Sequence, residues 1–307
     1  MERLSDRNII LVHRETRLDG LIRRHNTREQ AAFYLQSRGD SVTDYQDEDR
    51  ELKQALANIE KTLQRFGRVQ KLERSFLPNF LFGPDDIIAV AGQDGLVANT
   101  LKYLRGQPLI AINPAPRRFD GQLLPFKQAN LATIIRDVLN NRFSVKTVTM
   151  ALAQLNDGQQ LLAVNDLYLG PRLPISARYE LQYGEQREEQ SSSGVLVSTG
   201  LGSTGWLRSL VTGATAITQN SGEFSPEMPW DAAELCFCVR EPFPSRITGT
   251  SLVFGKIQQH QTFRLVSHMA EGGIIFSDGI VDDAIEFNSG AIATIGIAPN
   301  EGRLVSG

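Results

Sequence analysis

The sequence predicts two parts: an α/β N-terminal domain with a parallel sheet, then a β-rich, sandwich-like C-terminal domain. Three observations carry this. Up to about residue 142, short continuous apolar runs alternate with amphipathic stretches, as in a sheet covered on both faces by helices. Beyond that point apolar and polar residues alternate singly, and Asn156-Asp157-Gly158 lies between two such runs, a hairpin signal. The chain has 307 residues, more than one typical domain. The domains are set at 1–142 and 143–307, with the last ~15 residues allowed to return to the first.

In order along the chain, Asn8–His13 is apolar enough for a buried strand. Thr27-Arg28-Glu29-Gln30 has capping-box spacing, with Thr27 bonding an orphan amide and Gln30 reaching back; its helix runs to about Arg38, where Gly39 ends it. Asp47 to Phe66 is a second helix, acidic at its start as the helix dipole favours. Ile87–Ala91 is a fully apolar strand, Gly92–Gly95 breaks it, and Leu96–Leu104 has helical spacing. Pro108–Asn113 is the next strand, and 128–142 the next helix. In the second half, 145–155 and 160–169 alternate, and strand-like runs follow at 177–183, 194–199, 234–239, 262–268, 273–277, 284–288 and 291–297. Glu185–Ser193 and Gln219–Pro229 read as polar loops.

Composition excludes several classes. Apolar residues are 41% and charged residues 22%, which is globular usage. Net charge is −3, so there is no electrostatic footprint for nucleic acid or an acidic membrane. No apolar run approaches a membrane span, and the N-terminus lacks the apolar core of a signal peptide. Cys236 and Cys238 alternate with apolar residues, so both face one side of a strand as reduced thiols. With four scattered histidines and no ligand spacing, no protein-bound metal site is expected, and the compartment is read as cytoplasmic.

Four segments could carry chemistry. Gly92-Gln93-Asp94-Gly95 follows a strand and opens a helix, where glycine backbone and a helix N-terminus favour phosphate and a carboxylate can take a proton. The plainer alternative is a strand-to-helix turn with Asp94 as N-cap. Asn165-Asp166 is a polar pair in an apolar strand, costly unless both find partners, and suited to reading a diol or base. The alternative is a strand-edge pair bonded to local backbone. Ser198–Trp206 holds three glycines, several hydroxyls and an indole. Gly200, Gly202 and Gly205 match a dinucleotide fingerprint formally, but the β-rich setting argues against a βαβ unit. The loop could still hold a nucleotide, or be a glycine-rich hairpin with a core Trp. Phe276-Ser277-Asp278-Gly279 reads as a turn between strands.

In this order the segments resemble the NAD kinase family, and most of all its mitochondrial type, over about residues 8 to 298. The family's Gly-Gly-Asp-Gly-Thr stands here as Gly92-Gln93-Asp94-Gly95-Leu96, its Asn-centred turn as Ala111-Ile112-Asn113, its Asn-Glu pair as Asn165-Asp166, and its Thr-Gly-Ser-Thr loop as Thr199–Trp206. Arg240–Arg246 and Ile285–Ala293 also look like the mitochondrial subgroup. The resemblance implies an NAD kinase/diacylglycerol kinase-like fold whose two domains flank a cleft. It implies transfer of the γ-phosphate of ATP, with Mg²⁺, to the 2′-hydroxyl of the adenosine ribose of NAD, giving NADP. In it Asp94 is the general base, and Gly92 and Gly95 offer backbone to the donor. Asn113 belongs to the nucleotide site, and Asn165 and Asp166 grip the adenosine. Thr199, Gly202, Ser203, Thr204 and Trp206 frame the adenine pocket. The resemblance also implies a homodimer or homotetramer, with nucleotides as the small-molecule partners. This chain departs at Gln93 for Gly, Leu96 for Thr, and Asp166 for Glu. Those departures keep two alternatives in view: a superfamily kinase for a sugar or lipid hydroxyl, and a catalytically impaired nucleotide-binding protein.

Overall fold

In the computed structural model residues 5–218 and 225–306 are described, and the elements below lie among them. The first compact unit comprises Met1–Lys146 and Arg303–Gly307, the second Thr147–Gly302. The first contains β1 (Asn8–His13), α1 (Arg17–His25), α2 (Arg28–Ser37), α3 (Val42–Leu63), β2 (Arg68–Glu73), β3 (Ile87–Ala91), α4 (Asp94–Leu101), β4 (Pro108–Asn113), β5 (Phe126–Lys127), α5 (Leu131–Leu139) and, across the unit boundary, β6 (Ser144–Val148). The second contains β7 (Ala151–Leu155), β8 (Gln160–Ala163), β9 (Asp166–Pro171), β10 (Ala177–Tyr183), β11 (Gln186–Ser192), β12 (Val195–Ser198), α6 (Trp206–Thr218), β13 (Glu234–Val239), β14 (Phe254–Gln258), β15 (Phe263–Ser267), β16 (Gly273–Ser277), β17 (Ile280–Glu286) and β18 (Ile292–Ile297). β19 (Gly302–Ser306) re-enters the first sheet.

The first sheet runs β2-β1-β3-β4-β19-β6, with β5 beside β4. The pairs of β1 with β2 and β3, of β3 with β4, and of β4 with β5 and β19 are parallel. Its central strands are apolar at consecutive positions because both faces are covered. Ile9, Leu11, Ile87 and Ile110 pack with Ile59 and Leu63 of α3 and Ile135 of α5, while Ile10, Val12, Ile88 and Val90 are also buried. Each such fully buried side chain contributes about 1.5–3 kcal/mol.

The second unit is a sandwich of two antiparallel sheets, β11-β10-β15-β18-β7-β8 and β14-β13-β12-β9-β16-β17. Alternate residues of both point into one core, among them Tyr179, Leu181, Phe263 and Ile295 from the first and Leu167, Val197, Phe237 and Ile275 from the second. The outer face of the second sheet carries Leu196, Cys236 and Cys238, and Leu207 and Trp206 of α6 pack there. Both cysteines are free thiols on that face, and burial pushes them up, Cys236 to about 12 and Cys238 to about 11.

The predicted fold class holds; several elements differ. The Thr27 hydroxyl accepts from the Gln30 amide at 3.1 Å, so that half of the expected box forms. α3 starts at Val42, capped by Ser41, and α1 lay unread in a short basic stretch. The expected loop at 185–193 is instead the strand β11. Its polar composition suits a sheet edge, and its inward Gln190 and Ser192 bond the Tyr179 hydroxyl. The run at 160–169 is broken into β8 and β9, which belong to different sheets. The glycine-rich segment leads into a helix, α6, rather than a hairpin, and joins antiparallel β12 and β13, so no βαβ unit arises. Of the loop at 219–229, residues 219–224 lie outside those described. No described helix is long and apolar enough to cross a membrane.

Candidate functional site

In the first unit, β3 ends at Ala91 and the chain turns through Gly92 and Gln93 into α4. Gln93 is the N-cap and makes no side-chain cap bond; Asp94 is the first helical residue, so it is not the cap. Its carboxylate accepts the Leu123 amide at 2.8 Å and the Gln122 amide at 3.1 Å. Those amides are brought up by the loop after β4, and Asn113 shapes that loop. The Asn113 amide donates to the Phe119 carbonyl at 2.9 Å, and its oxygen accepts from the Ala115 N–H at 3.1 Å. Asn113 is buried, and each end of its amide makes a bond within the loop. Leu96, in place of the hydroxyl residue, is buried, and its methyl would meet a Cβ at Gly92 at 2.6 Å. Gly95 is exposed, with open space where a Cβ would stand.

Beside this turn lies a cavity of about 160 Å³, at the carboxyl ends of β1 and β3 where parallel sheets bind ligands. His13, Arg14, Thr16, Gly92 and Gln93 are among its lining. Burial lowers the His13 pKa, which favours the neutral ring. Burial also lowers that of Arg14, against the pull of Glu48. Arg14 was missed in the sequence because a lone arginine after a strand carries no pattern.

In the second unit, Asn165 and Asp166 stand at the break between β8 and β9. Asp278 accounts for the break. Its carboxylate accepts the amides of Val164 at 3.1 Å, Asn165 at 2.6 Å and Asp166 at 3.3 Å, and its own amide donates to the Asp166 carbonyl at 2.9 Å. The segment read as a plain turn thus also pins the polar pair. The glycine-rich loop closes on the same backbone. The Thr199 amide donates to Asn165 O at 2.9 Å, its hydroxyl donates to Val164 O at 2.6 Å, and that hydroxyl accepts the Gly202 amide at 3.2 Å. A Cβ on Gly202 would sit 2.2 Å from Asn165 O and 2.7 Å from Asp166 Oδ1; one on Gly200 would sit 1.8 Å from Pro229 O. Only glycine allows this approach.

The Asp166 carboxyl is buried, and its Oδ1 has no hydrogen-bond partner among the described residues. Desolvation raises its pKa to about 7; the Ser198 hydroxyl opposes the rise and the Asp278 charge adds to it. Asn165 is half-buried, and no bond from its side-chain amide is found among the described residues. Thr199 and Ser203 are fully buried and bonded within the loop, Ser203 to Gly200 O at 2.7 Å and to the Met228 amide at 3.0 Å. Thr204 is exposed.

Trp206 lines a cavity of about 700 Å³ with Tyr168, Arg172, Ser193, Arg240 and Phe276. Tyr168 lies two residues beyond Asp166 on β9, hence on the same face. Its ring stacks with Trp206 at 5.9 Å and 16°, and with Phe276 at 4.8 Å and 30°. The Arg240 guanidinium lies 5.3 Å from the Trp206 centroid and 5.8 Å from that of Tyr168, and its buried Nε has no partner among the described residues. A planar base with polar edges suits such a wall. The period-two spacing from Asp166 was the signal that could have found Tyr168. Among the described residues no group of three or more His, Cys, Asp or Glu is placed to hold a metal ion.

No family model matches the chain. A rice protein (Oryza sativa subsp. japonica) named probable NADH kinase is 26% identical over 240 residues, 70% of this chain and 69% of that protein. Among solved structures, yeast NADH kinase complexed with NADH superposes with a TM-score of 0.61 at 12% identity, covering 99% of this chain and 84% of that one. An NAD kinase from Archaeoglobus fulgidus in complex with ATP gives 0.54 at 16% identity, covering 97% and 93%. The chain has the NAD kinase fold. These likenesses bear out the resemblance to that family and, with it, the reading of a kinase-type enzyme.

Proposed function

We propose that the chain is an NAD kinase-like phosphotransferase, moving the γ-phosphoryl group of Mg²⁺-ATP to the 2′-hydroxyl of the adenosine ribose of NAD and yielding NADP. The observation that carries this reading is the buried Asp166 carboxyl with an unpartnered oxygen, beside the unengaged Asn165 amide. A buried polar group without partners is costly, and an adenosine edge supplies those partners. The aromatic wall at Trp206 adds a face for a planar ring.

The role of base falls to Asp94. Two of its roughly four lone-pair directions are taken by amides, which fixes the carboxylate and leaves acceptor capacity. Asp94 takes the hydroxyl proton as the ribose oxygen attacks the γ-phosphorus; the bond to the β–γ bridging oxygen breaks and ADP leaves. Gly92 and Gly95 offer backbone, and Arg14 offers charge, to the donor phosphates. Such transfer rests on positioning and charge stabilisation rather than on strong nucleophiles. Thr199, Gly202 and Ser203 shape the loop, while Thr204 and Trp206 are its members open to ligand.

NADH is a second acceptor reading, favoured because the rice relative and the yeast neighbour are both NADH kinases by name. The likenesses above are to NAD(H) kinases, which favours a dinucleotide over a sugar or lipid alcohol. A homodimer or homotetramer and a cytoplasmic setting complete the proposal; exposed Leu173, Ile175 and Phe243 give an assembly apolar surface to cover.

The test is NADP(H) formation from NAD or NADH with ATP and Mg²⁺, read by an NADP-specific coupling enzyme. Asp94→Asn is expected to lower kcat about 10²–10⁴-fold while the Kd for NAD moves less than about threefold. Unchanged turnover in that variant removes the base role. Absence of product from both dinucleotides overturns the reading.

A further inference from the structure

The carboxyls of Asp166 and Asp278 stand in opposite surroundings. That of Asp278 receives three consecutive amide donors, from Val164, Asn165 and Asp166. An ionised carboxylate, which only accepts, is what such donors fit. That of Asp166 is buried, with Oδ1 unpartnered. Burial first, with the Asp278 charge adding to it, disfavours the ionised form of Asp166, so Asp166 is the carboxyl that keeps a proton. The elements packed against Asp166 are β12, which brings Ser198; the glycine-rich loop, which brings Thr199 and Gly202; and the β16–β17 turn, which brings Asp278. Among the described residues Asp278 is the charged group acting on it.

We propose that the two work as a split pair: Asp278 carries the charge and positions residues 164–166, and Asp166, kept neutral, donates a hydrogen bond to an acceptor atom of the bound nucleotide. This rests on the functional reading for the ligand but not for the charge split. It changes the specificity of the site. A neutral acid selects an acceptor, such as a ring nitrogen, where an ionised carboxylate would select a diol or an amino group. Asp278 touches no ligand in this account and is a positioning residue.

Infrared spectroscopy of the ligand-free full chain tests the split. The wild type at about pH 6 should show a carboxylic-acid carbonyl band that Asp166→Asn lacks and that titrates near 7. Asp278→Asn keeps an acceptor oxygen and removes the charge, so the band should titrate at lower pH. Identical wild-type and Asp166→Asn spectra, or an unmoved midpoint in Asp278→Asn, overturn the split.

Calorimetry with NAD tests the donor role. Wild-type affinity should fall about tenfold per pH unit above the midpoint. Asp166→Asn, a permanent donor, should bind at about pH 8 at least about tenfold tighter than the wild type. A flat wild-type profile with weak binding by Asp166→Asn overturns the donor role. A wild type that binds neither NAD nor NADH overturns that role together with the functional reading, while the infrared result still decides the charge split.

Discussion

Two carboxylates, one in each unit, are held in contrasting ways. Asp94 is satisfied: two backbone amides at 2.8 and 3.1 Å hold it, and the neighbouring Gly95 faces open space. Asp166 is stripped: its Oδ1 has no partner among the described residues, and the glycine-rich loop presses to within contact of it. A satisfied group is one the fold has aimed. A stripped group is held at a cost to stability. The proposed function gives chemistry to the first and recognition to the second.

The largest expected effect sharpens the cost side of this contrast. The Asp166 carboxyl stands at about 7 in the folded chain, through burial first, against an ordinary value of 3.8. Between these values the folded chain holds a proton that the unfolded chain has released. Raising the pH through that window therefore destabilises the fold, and the effect is complete above about pH 7. Asp166→Asn escapes it. Its stability relative to the wild type should rise from about pH 5 to about pH 8 by at most about 3 kcal/mol. Urea unfolding at the two pH values measures this. A constant difference would break the contrast, because Asp166 would then ionise as it does in an unfolded chain.

The two glycines give a smaller effect and a sharper comparison. Gly202→Ala puts a methyl 2.2 Å from a backbone oxygen and 2.7 Å from Asp166 Oδ1. It should cost about 1–3 kcal/mol of stability and weaken NAD binding at least about tenfold. Gly95→Ala meets nothing within 4 Å and lies in a helix. It should raise stability by up to about 1 kcal/mol, yet weaken ATP if donor phosphates approach that backbone. Denaturation with separate ATP and NAD titrations distinguishes them. Similar losses from both variants would show that the two loops do not differ as described.

What the sequence made legible follows from where the constraint is local. The buried strands β1, β3 and β4 announced themselves because both faces are covered and Ile9–Val12, Ile87–Ala91 and Leu109–Ile112 are apolar throughout. The order of the polar motifs was readable too, since each falls at an element end. The strand β11 was not, because an exposed edge tolerates polar residues and Gln190 finds its partner, Tyr179, only in the folded sheet. The bonds of Asn113 to Phe119 and Ala115 were not legible either, because an Asn at a strand end serves loop and ligand equally well. The grip of Asp278 on Val164–Asp166 spans more than a hundred positions, and no spacing in the chain encodes that.

The aromatic wall gives the smallest effect. Trp206 stacks on Tyr168 at 5.9 Å, and such pairs contribute about 0.5–1.5 kcal/mol beyond their burial. If the wall receives a nucleobase, Trp206→Ala should weaken NAD about 2–10-fold, and Trp206→Phe should recover most of that. The chain has two tryptophans, so Trp230→Phe leaves Trp206 as the fluorescent reporter. NAD should quench its emission with the Kd found by calorimetry. Unaltered emission on saturation would assign recognition to Asn165 and Asp166 without the wall, and would confine the difference between the two units to their carboxylates.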